Sequence, residues 1–366
     1  MNASEGPDLS RMLSLADFER LAAERMDRET FDYISGGAGD EVTLAGNLTA
    51  FARLRLRPRV LRDVSVVDTS ATMLGARLRL PVGVAPMAFH HFAHPDAELA
   101  SARAAAHAGG VFCLSTMSSR SIEEVAAAAD QAGGGARWLQ LYVHRQRARS
   151  EELVRRAAGA GYGALVVTVD LPVAGRRERD VRNAFAYPQV FGNFPPPRAV
   201  SGEEAPLAAV VGGFNDATLS WPDLAWLRGL SSMPVVVKGI LTGEDAALAV
   251  EHGAAAVVVS NHGGRQLDRT PATIDVLAEV VDAVAGRAEV YLDSGVRRGV
   301  DILTALALGA RGVFVGRPMQ YALAVAGAEG VRRAFDILAT ELATDMALLG
   351  VRSVDELNRG HVTRSE

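Results

Sequence analysis

The chain has a single cysteine, a single lysine and no hydrophobic run long enough to span a bilayer. Each shortage excludes something. One thiol, Cys113, cannot form an internal disulfide and cannot build a cysteine-ligated zinc or iron–sulfur site. Because Cys113 lies inside an apolar run, it reads as a buried structural thiol. No stretch approaches the roughly 18 apolar residues of a membrane span. The N-terminus also lacks the charged-then-apolar pattern of a secretory signal. A soluble, cytoplasmic protein without a membrane partner is the expectation. A formal net charge of −5 argues against a polyanionic nucleic acid as partner.

The shortage of lysine is more informative. Of the 38 basic residues, all but Lys238 are arginine. Where a generic positive charge suffices, this chain uses arginine. The one retained lysine therefore points to a task needing a compact point charge or an amine that can lose its proton.

What is present is ordinary for a globular enzyme: 49% hydrophobic and 22% charged residues in 366. That length suits one large α/β barrel or two ordinary domains. Residues 14–28 read as a helix, with Ser14 as N-cap and Leu15, Phe18, Leu21 and Ala22 on one face. From residue 80, apolar runs alternate with alanine-rich helical stretches. The runs are Leu80–Ala85, Val111–Leu114, Trp138–Tyr142, Ala164–Val169, Val235–Val237, Ala256–Val259, Glu289–Leu292 and Gly312–Val315. Eight β/α units over about 250 residues predict a (β/α)8 TIM barrel. No G-x-G-x-x-G follows a first strand, which disfavours a doubly wound sheet. The whole chain, 1–366, is expected to form one domain, with an N-terminal helical segment and helices over 329–358 closing the barrel. The interval from Asp170 to Lys238 is more than twice any other between strand ends. It holds Pro195, Pro196 and Pro197, so residues of about 174–220 read as a lid inserted after the fourth strand.

Barrel chemistry gathers at the C-terminal ends of strands. Those ends carry Pro86-Met87-Ala88, Ser115, Gln140 and Tyr142, Thr168 and Asp170, Lys238, Ser260 to His262, Asp293, and Gly316-Arg317. The densest stretch is Ser260-Asn261-His262-Gly263-Gly264-Arg265-Gln266-Leu267-Asp268. It offers a base active near neutral pH and an arginine fork for an anion within one turn of backbone. A plain polar loop is the other reading of those residues. Asp170 faces His262 across the mouth and would orient its ring. One arginine of Arg176-Arg177-Glu178-Arg179 can reach the same site. The loops after strands 7 and 8 pair glycine with Arg297 and Arg317, which suits a phosphate. Tyr33, beside Gly36-Gly37, reads either as core or as a site residue. His90, His91 and His94 match no zinc spacing, and no metal is expected.

Taken together, these residues resemble the FMN-dependent 2-hydroxy acid oxidase and dehydrogenase family, whose members include glycolate oxidase, lactate oxidase and mandelate dehydrogenase. The resemblance covers roughly residues 14–358. It rests on the intact Ser260–Asp268 segment and on Gln140-Leu141-Tyr142, Thr168-Val169-Asp170, Gly175-Arg176-Arg177, Lys238-Gly239 and Asp293 through Gly299. It implies FMN as cofactor and oxidation of an (S)-2-hydroxy acid to the 2-oxo acid. His262 would be the base, held by Asp170, and would take a proton either from Cα or from the hydroxyl. Tyr142 would bond the substrate hydroxyl. Arg177 and Arg265, assisted by Tyr33, would clamp the substrate carboxylate. Lys238 would stand beside the flavin pyrimidine edge. Ala85, Pro86, Met87, Ala88, Ser115, Gln140, Thr168 and Ser260 would cradle the ring. Asp293, Arg297, Gly316 and Arg317 would hold the ribityl chain and phosphate. The family usually forms homotetramers.

Four positions depart from the best-known glycolate oxidases: Met87, Phe89, Met117 and Ser294. Phe89 and Met117 should face the substrate side chain, and a phenyl ring beside a flexible thioether suits an aromatic ring. The expectation is a substrate of mandelate or 4-hydroxymandelate type, with small aliphatic acids such as glycolate or lactate as the alternative. Oxygen, reduced to hydrogen peroxide, is the expected acceptor, since the chain has no Cys-x-x-Cys-His for haem and no long apolar stretch in the lid. A dehydrogenase using a quinone is the alternative. From a different class, Lys238 could instead serve a Schiff-base lyase on the same barrel.

Overall fold

The computed structural model describes residues 7–185, 187, 191–194 and 214–364. About half of the expected lid, including Pro195 to Pro197, lies outside the described residues.

Eight strands form a closed parallel barrel in chain order. They are β1 (Val82–Val84), β2 (Val111–Leu114), β3 (Ala136–Leu141), β4 (Ala164–Thr168), β5 (Val235–Ile240), β6 (Ala256–Val259), β7 (Glu289–Leu292) and β8 (Gly312–Val315). The last closes on the first, with Val313 beside Val82 and Val315 beside Val84. The TIM barrel expectation is met. Strand side chains alternate between two cores. Val82, Val84, Leu139, Leu141, Val257 and Val259 pack outward against the helices. Val111, Cys113, Trp138, Val166, Val236, Val258, Tyr291 and Phe314 fill the barrel interior. Trp138 lies 5.3 Å from Phe314 and 5.4 Å from Tyr291 between ring centroids. A Cβ on Gly83 would collide with the Phe314 ring, so β1 is smooth where that interior ring crosses it. The hairpin Ala71–Met73 with Ala76–Leu78 plugs the bottom through Met73 and Leu78.

Three helices precede the barrel: α1 (Leu15–Arg25), α2 (Arg28–Ser35) and α3 (Val42–Phe51). Ser14 caps α1 in a box with Asp17, as the sequence suggested, although the helix stops at Arg25. Tyr33 is not on a turn; it lies in the last turn of α2 and is buried. The terminal helix runs Arg317–Leu349 with a break at Ala326–Gly327. The helix after the break matches the expected start at residue 329, while the part before it, from Arg317, is an additional helix that follows β8 directly. No helix of the described residues is long and apolar enough to cross a membrane.

Candidate active site

The side chains at the barrel mouth continue the interior alternation by one more step. Beyond Cys113 comes Ser115; beyond Trp138, Gln140 and Tyr142; beyond Val166, Thr168 and Asp170. Beyond Val236 comes Lys238; beyond Val258, Ser260; beyond Tyr291, Asp293; beyond Phe314, Gly316. Period two therefore delivers one or two polar or special residues from each of β2 to β8 into the mouth. Gln140 Nε2 donates to Thr168 Oγ1 at 2.9 Å, while Gln140 Oε1 accepts from Ser115 Oγ at 3.3 Å and from Thr116 N at 3.2 Å. Lys238 Nζ donates to Ser260 Oγ at 3.0 Å and pairs with Asp293 at 3.2 Å. Burial presses this ammonium downward, but Asp293, Asp170 and Tyr142 outweigh it and hold Lys238 above its ordinary range. Paired with a carboxylate, it is placed as a cation rather than as the free amine that Schiff-base chemistry requires.

A cavity opens over this layer. Ala85, Pro86, Met87, Ala88, Lys238, Asp293, Arg297, Gly316 and Arg317 line it, as do Tyr33, Phe89, Met117, Tyr142, Arg177, His262 and Arg265. Ser115, Gln140, Thr168, Ser260 and Asp170 do not; they stand behind its wall, and Thr168 borders an adjoining cavity.

His262 has φ +57°, and Gly263 and Gly264 continue in the left-handed region at +67° and +74°. Three such residues in a row turn the chain tightly off β6, and the two glycines make the turn tolerable. A side chain at Gly264 would strike the Leu44 backbone, so the turn also packs against α3. The turn aims the imidazole at the mouth. Nδ1 meets Asp170 Oδ1 at 2.9 Å, and Nε2 lies 3.4 Å from the Tyr142 hydroxyl. Gln266 fixes the Asp170 loop by donating from Nε2 to the Asp170 carbonyl at 3.0 Å. Burial lowers the His262 pKa most strongly; Asp170 raises it, and Lys238 and Arg177 lower it, leaving it below the usual imidazole value. Burial works upward on Asp170, but His262 and Lys238 keep it below the ordinary carboxylate value. Burial raises the Tyr142 hydroxyl to about 12, so it remains protonated. The resting pair is a neutral imidazole on a carboxylate, which is the form of a general base.

Arginines supply the opposite charge. Arg265 Nη1 donates to the carbonyls of Tyr33 at 2.7 Å and Gly36 at 3.0 Å. Arg317 donates to Ile34 O at 3.0 Å, Gly36 O at 2.7 Å and Gly263 O at 2.9 Å. Both satisfy orphan carbonyls at the C-terminus of α2. Neither they nor Arg177 and Arg297 have a carboxylate within 4 Å among the described residues. Burial, followed by the neighbouring Arg265, lowers the Arg317 pKa to about 9. Four buried or half-buried cations, with Asp180 and Asp301 acting on them only from beyond ion-pair distance, make a receptor for anions. Ser294, the departure from glycine, sits at φ +71°. Its hydroxyl donates to Asp293 Oδ1 at 2.8 Å and accepts from Gly263 N at 3.0 Å, and these bonds offset the backbone strain.

Phe89 and Met117 are buried and share the wall, tied by Phe89 N to Met117 O at 3.1 Å. Around them is an aromatic cluster the sequence did not predict. Tyr33 stacks on Phe185 at 4.6 Å, and Tyr187 meets Tyr33 edge-on at 5.6 Å and Phe89 at 6.2 Å. Tyr187, Leu171, Asn215, Val296 and Gln320 also line the cavity. Tyr187 and Asn215 belong to the long β4–β5 excursion; its length was the only signal that could have marked them. The His90–His91–His94 group is occupied otherwise: His90 Nδ1 bonds Ser101 at 2.9 Å and His91 Nδ1 bonds Ser119 at 2.7 Å.

The comparisons agree with this geometry. The family model described as FMN-dependent dehydrogenase matches residues 22–364. Glycolate oxidase 1 of Oryza sativa subsp. indica is 46% identical over 359 residues, 97% of this chain and 96% of that protein. L-lactate oxidase of Nostoc sp. is 46% identical over 357 residues, 96% of this chain and 98% of that one. Among solved structures, a mandelate oxidase with (S)-4-hydroxymandelic acid superposes with a TM-score of 0.89 at 44% identity, covering 96% of this chain and 99% of that one. The chain belongs to the FMN-dependent dehydrogenase family, and FMN is its cofactor.

Proposed function

We propose that this enzyme oxidises an (S)-2-hydroxy acid with an aromatic side chain to the 2-oxo acid and passes the electrons to oxygen, giving hydrogen peroxide. The observation that carries the proposal is the convergence of the Asp170–His262–Tyr142 chain, two cavity-lining arginines and an aromatic wall in one cavity. The residues present fit FMN. Arg297 and Arg317 lack carboxylate partners and sit on the loops after β7 and β8, where a phosphate would neutralise them. Asp293 would hold the ribityl chain beside them. Lys238 would place a permanent cation against the ring, and Ala85 to Ala88 and Gly316 would form its floor, backed by Ser115, Gln140, Thr168 and Ser260. Bound there, FMN supplies the acceptor for the two electrons leaving Cα. The chain's own residues do the rest. Arg177 and Arg265, with Tyr33, clamp the carboxylate and supply orientation. Tyr142 bonds the substrate hydroxyl, and His262 Nε2 takes a substrate proton while Asp170 stabilises the imidazolium. Phe89, Met117 and Tyr187 exclude water and receive the aromatic side chain.

The mandelate oxidase likeness supports the aromatic reading, and the oxidases among the relatives support oxygen. The test is anaerobic flavin bleaching by glycolate, lactate, phenyllactate and both mandelate enantiomers, followed by readmission of oxygen. (S)-Mandelate should bleach fastest, and reoxidation should release one peroxide per flavin. Faster bleaching by glycolate or lactate would overturn the aromatic assignment. Slow reoxidation by oxygen beside fast transfer to a quinone dye would overturn the acceptor. A homotetramer is expected, to be measured by light scattering on the FMN-loaded protein.

A further inference from the structure

One polar side chain of the cavity lining, Asn215, has no task in the chemistry above. Asn215 is only 6% exposed. Its Nδ2 donates to the Leu171 carbonyl at 2.8 Å. That bond fixes the amide: its donor end is committed, and Oδ1 is the end left over. Asn215 Oδ1 is buried and has no hydrogen-bond partner among the described residues. Asn215 lines both the catalytic cavity and the adjoining one, in each case with Tyr142 and Leu171.

The side chain is held firmly for this position. Asn215 forms an antiparallel bridge with His144. Arg145 N donates to Phe214 O at 3.0 Å and Asp216 N to Val143 O at 2.8 Å. Arg145 Nε adds a bond to Asn215 O at 3.2 Å. The β4–β5 excursion is thus stitched to the segment after β3 on both sides of Asn215, and the amide is presented by paired backbone. The other side-chain wall is apolar or aromatic: Phe89, Met117, Leu171 and Tyr187. A buried acceptor in such a wall is penalised unless a ligand brings a donor, and a ligand without one leaves it stranded.

We propose that Asn215 Oδ1 is a specificity determinant that accepts a hydrogen bond from a hydroxyl on the aromatic ring of the substrate, so that hydroxyaryl 2-hydroxy acids are favoured over unsubstituted aryl ones. This rests on the aromatic reading given under Proposed function. A phenolic hydroxyl has a proton to give; a ring ether is only an acceptor and gains nothing. One net hydrogen bond of this kind corresponds to about a tenfold preference.

The experiment compares kcat/KM for 4-hydroxymandelate, 4-methoxymandelate and mandelate in the FMN-loaded wild type and in Asn215→Leu. In parallel, the dissociation constants of 4-hydroxyphenylglyoxylate and phenylglyoxylate are read from perturbation of the flavin spectrum. The wild type should favour the hydroxylated member of each pair by about tenfold, with no gain for the methoxy acid. In Asn215→Leu the ratio should fall to near unity through loss on the hydroxylated compound. A folded Asn215→Leu that keeps the preference overturns the proposal. Should that variant not fold without the bond to Leu171, the wild-type pairs still decide: equal constants for hydroxylated and plain acids overturn it. Equal turnover of both mandelates leaves the aromatic reading standing, whereas turnover of lactate alone removes that reading and this one together.

Discussion

Replacing Asp170 by asparagine tests the base directly. The substitution keeps the size of the side chain and an oxygen able to accept from His262 Nδ1, but removes the charge. In the native site Nδ1 and Oδ1 are 2.9 Å apart and both side chains are largely buried. At a charge separation of about 4 Å and an effective dielectric of about 20, the carboxylate stabilises an imidazolium by about 4 kcal/mol. At 1.36 kcal/mol per decade, losing that term lowers the rate of flavin reduction by roughly 10²–10³. The pH dependence has a definite sign. Under the proposed assignment neutral His262 is the working form, so the rate should fall as pH drops through its pKa, which lies below the usual imidazole value. Asp170 is what holds that pKa up; burial, Lys238 and Arg177 all press it down. In Asp170→Asn the plateau should therefore drop while its acid limb moves to lower pH. Anaerobic stopped-flow reduction by (S)-mandelate from pH 4.5 to 8 measures both. Binding of phenylglyoxylate, which the proposal assigns to Arg177 and Arg265, should change only a few-fold. A variant reducing its flavin within about fivefold of wild type, or one whose acid limb moves upward, would refute the assignment of His262 and Asp170.

Two further substitutions probe the frame. Arg317→Leu removes one donor from each of the carbonyls of Ile34, Gly36 and Gly263 and one of the cations assigned to phosphate; FMN affinity, measured by fluorescence quenching on reconstitution, should fall at least about a hundredfold by the loss of charge-assisted bonds of about 1.5–3 kcal/mol each, and unchanged affinity would remove Arg317 from the phosphate site. Glu98 is fully buried, and its Oε1 accepts from His90 N at 3.1 Å and Ser119 N at 2.9 Å, clasping the loops that carry Phe89 and Met117. Glu98→Ala strands both N–H groups at about 1–3 kcal/mol each, so thermal unfolding should come several degrees earlier and KM for mandelate should rise, while Glu98→Gln, which keeps the acceptor, should stay near wild type; an Ala variant as stable as wild type would show that the clasp does not matter.

The barrel was legible because parallel strands buried on both faces are written as continuous apolar runs. The bounds of β2, β6, β7 and β8 agree with the expected runs. The misplacements have identifiable causes. Lys238 looked like the end of a strand, yet β5 continues to Ile240, since a lysine pointing into the barrel belongs to the interior alternation. Arg137 likewise hid the start of β3 at Ala136: its guanidinium pairs with Asp130 on the outside while its stem is buried. At β1 the apolar run began too early, because Pro81 has no N–H to give the ladder.

The site divides along the same line. Residues one or two steps beyond a strand were legible, because the alternation inside the barrel fixes where they point. Apart from Arg177, residues on the β4–β5 excursion were not, since no periodicity governs its path; Tyr187 is held by its hydroxyl's bond to Asp180 and Asn215 by the backbone pairing on either side of it. The role of α2 was hidden for a different reason. Its sequence reads as an ordinary amphipathic turn, but the carbonyls at its C-terminal end take Arg265 Nη1 and two of the three donor nitrogens of Arg317, Nε and Nη2. Two arginines that read as ligand-binding forks therefore also terminate a helix. Arg265 spends one terminal nitrogen on the fold, and its ring contact with Tyr33, 5.1 Å from guanidinium to centroid, fixes the plane of the remainder. The clamp is thereby set before any substrate arrives, and the same helix end that orients it holds Arg317 by the His262 turn. Base, clamp and phosphate site share one anchor, so disturbing the end of α2 should damage all three together, whereas disturbing a single strand end should damage one.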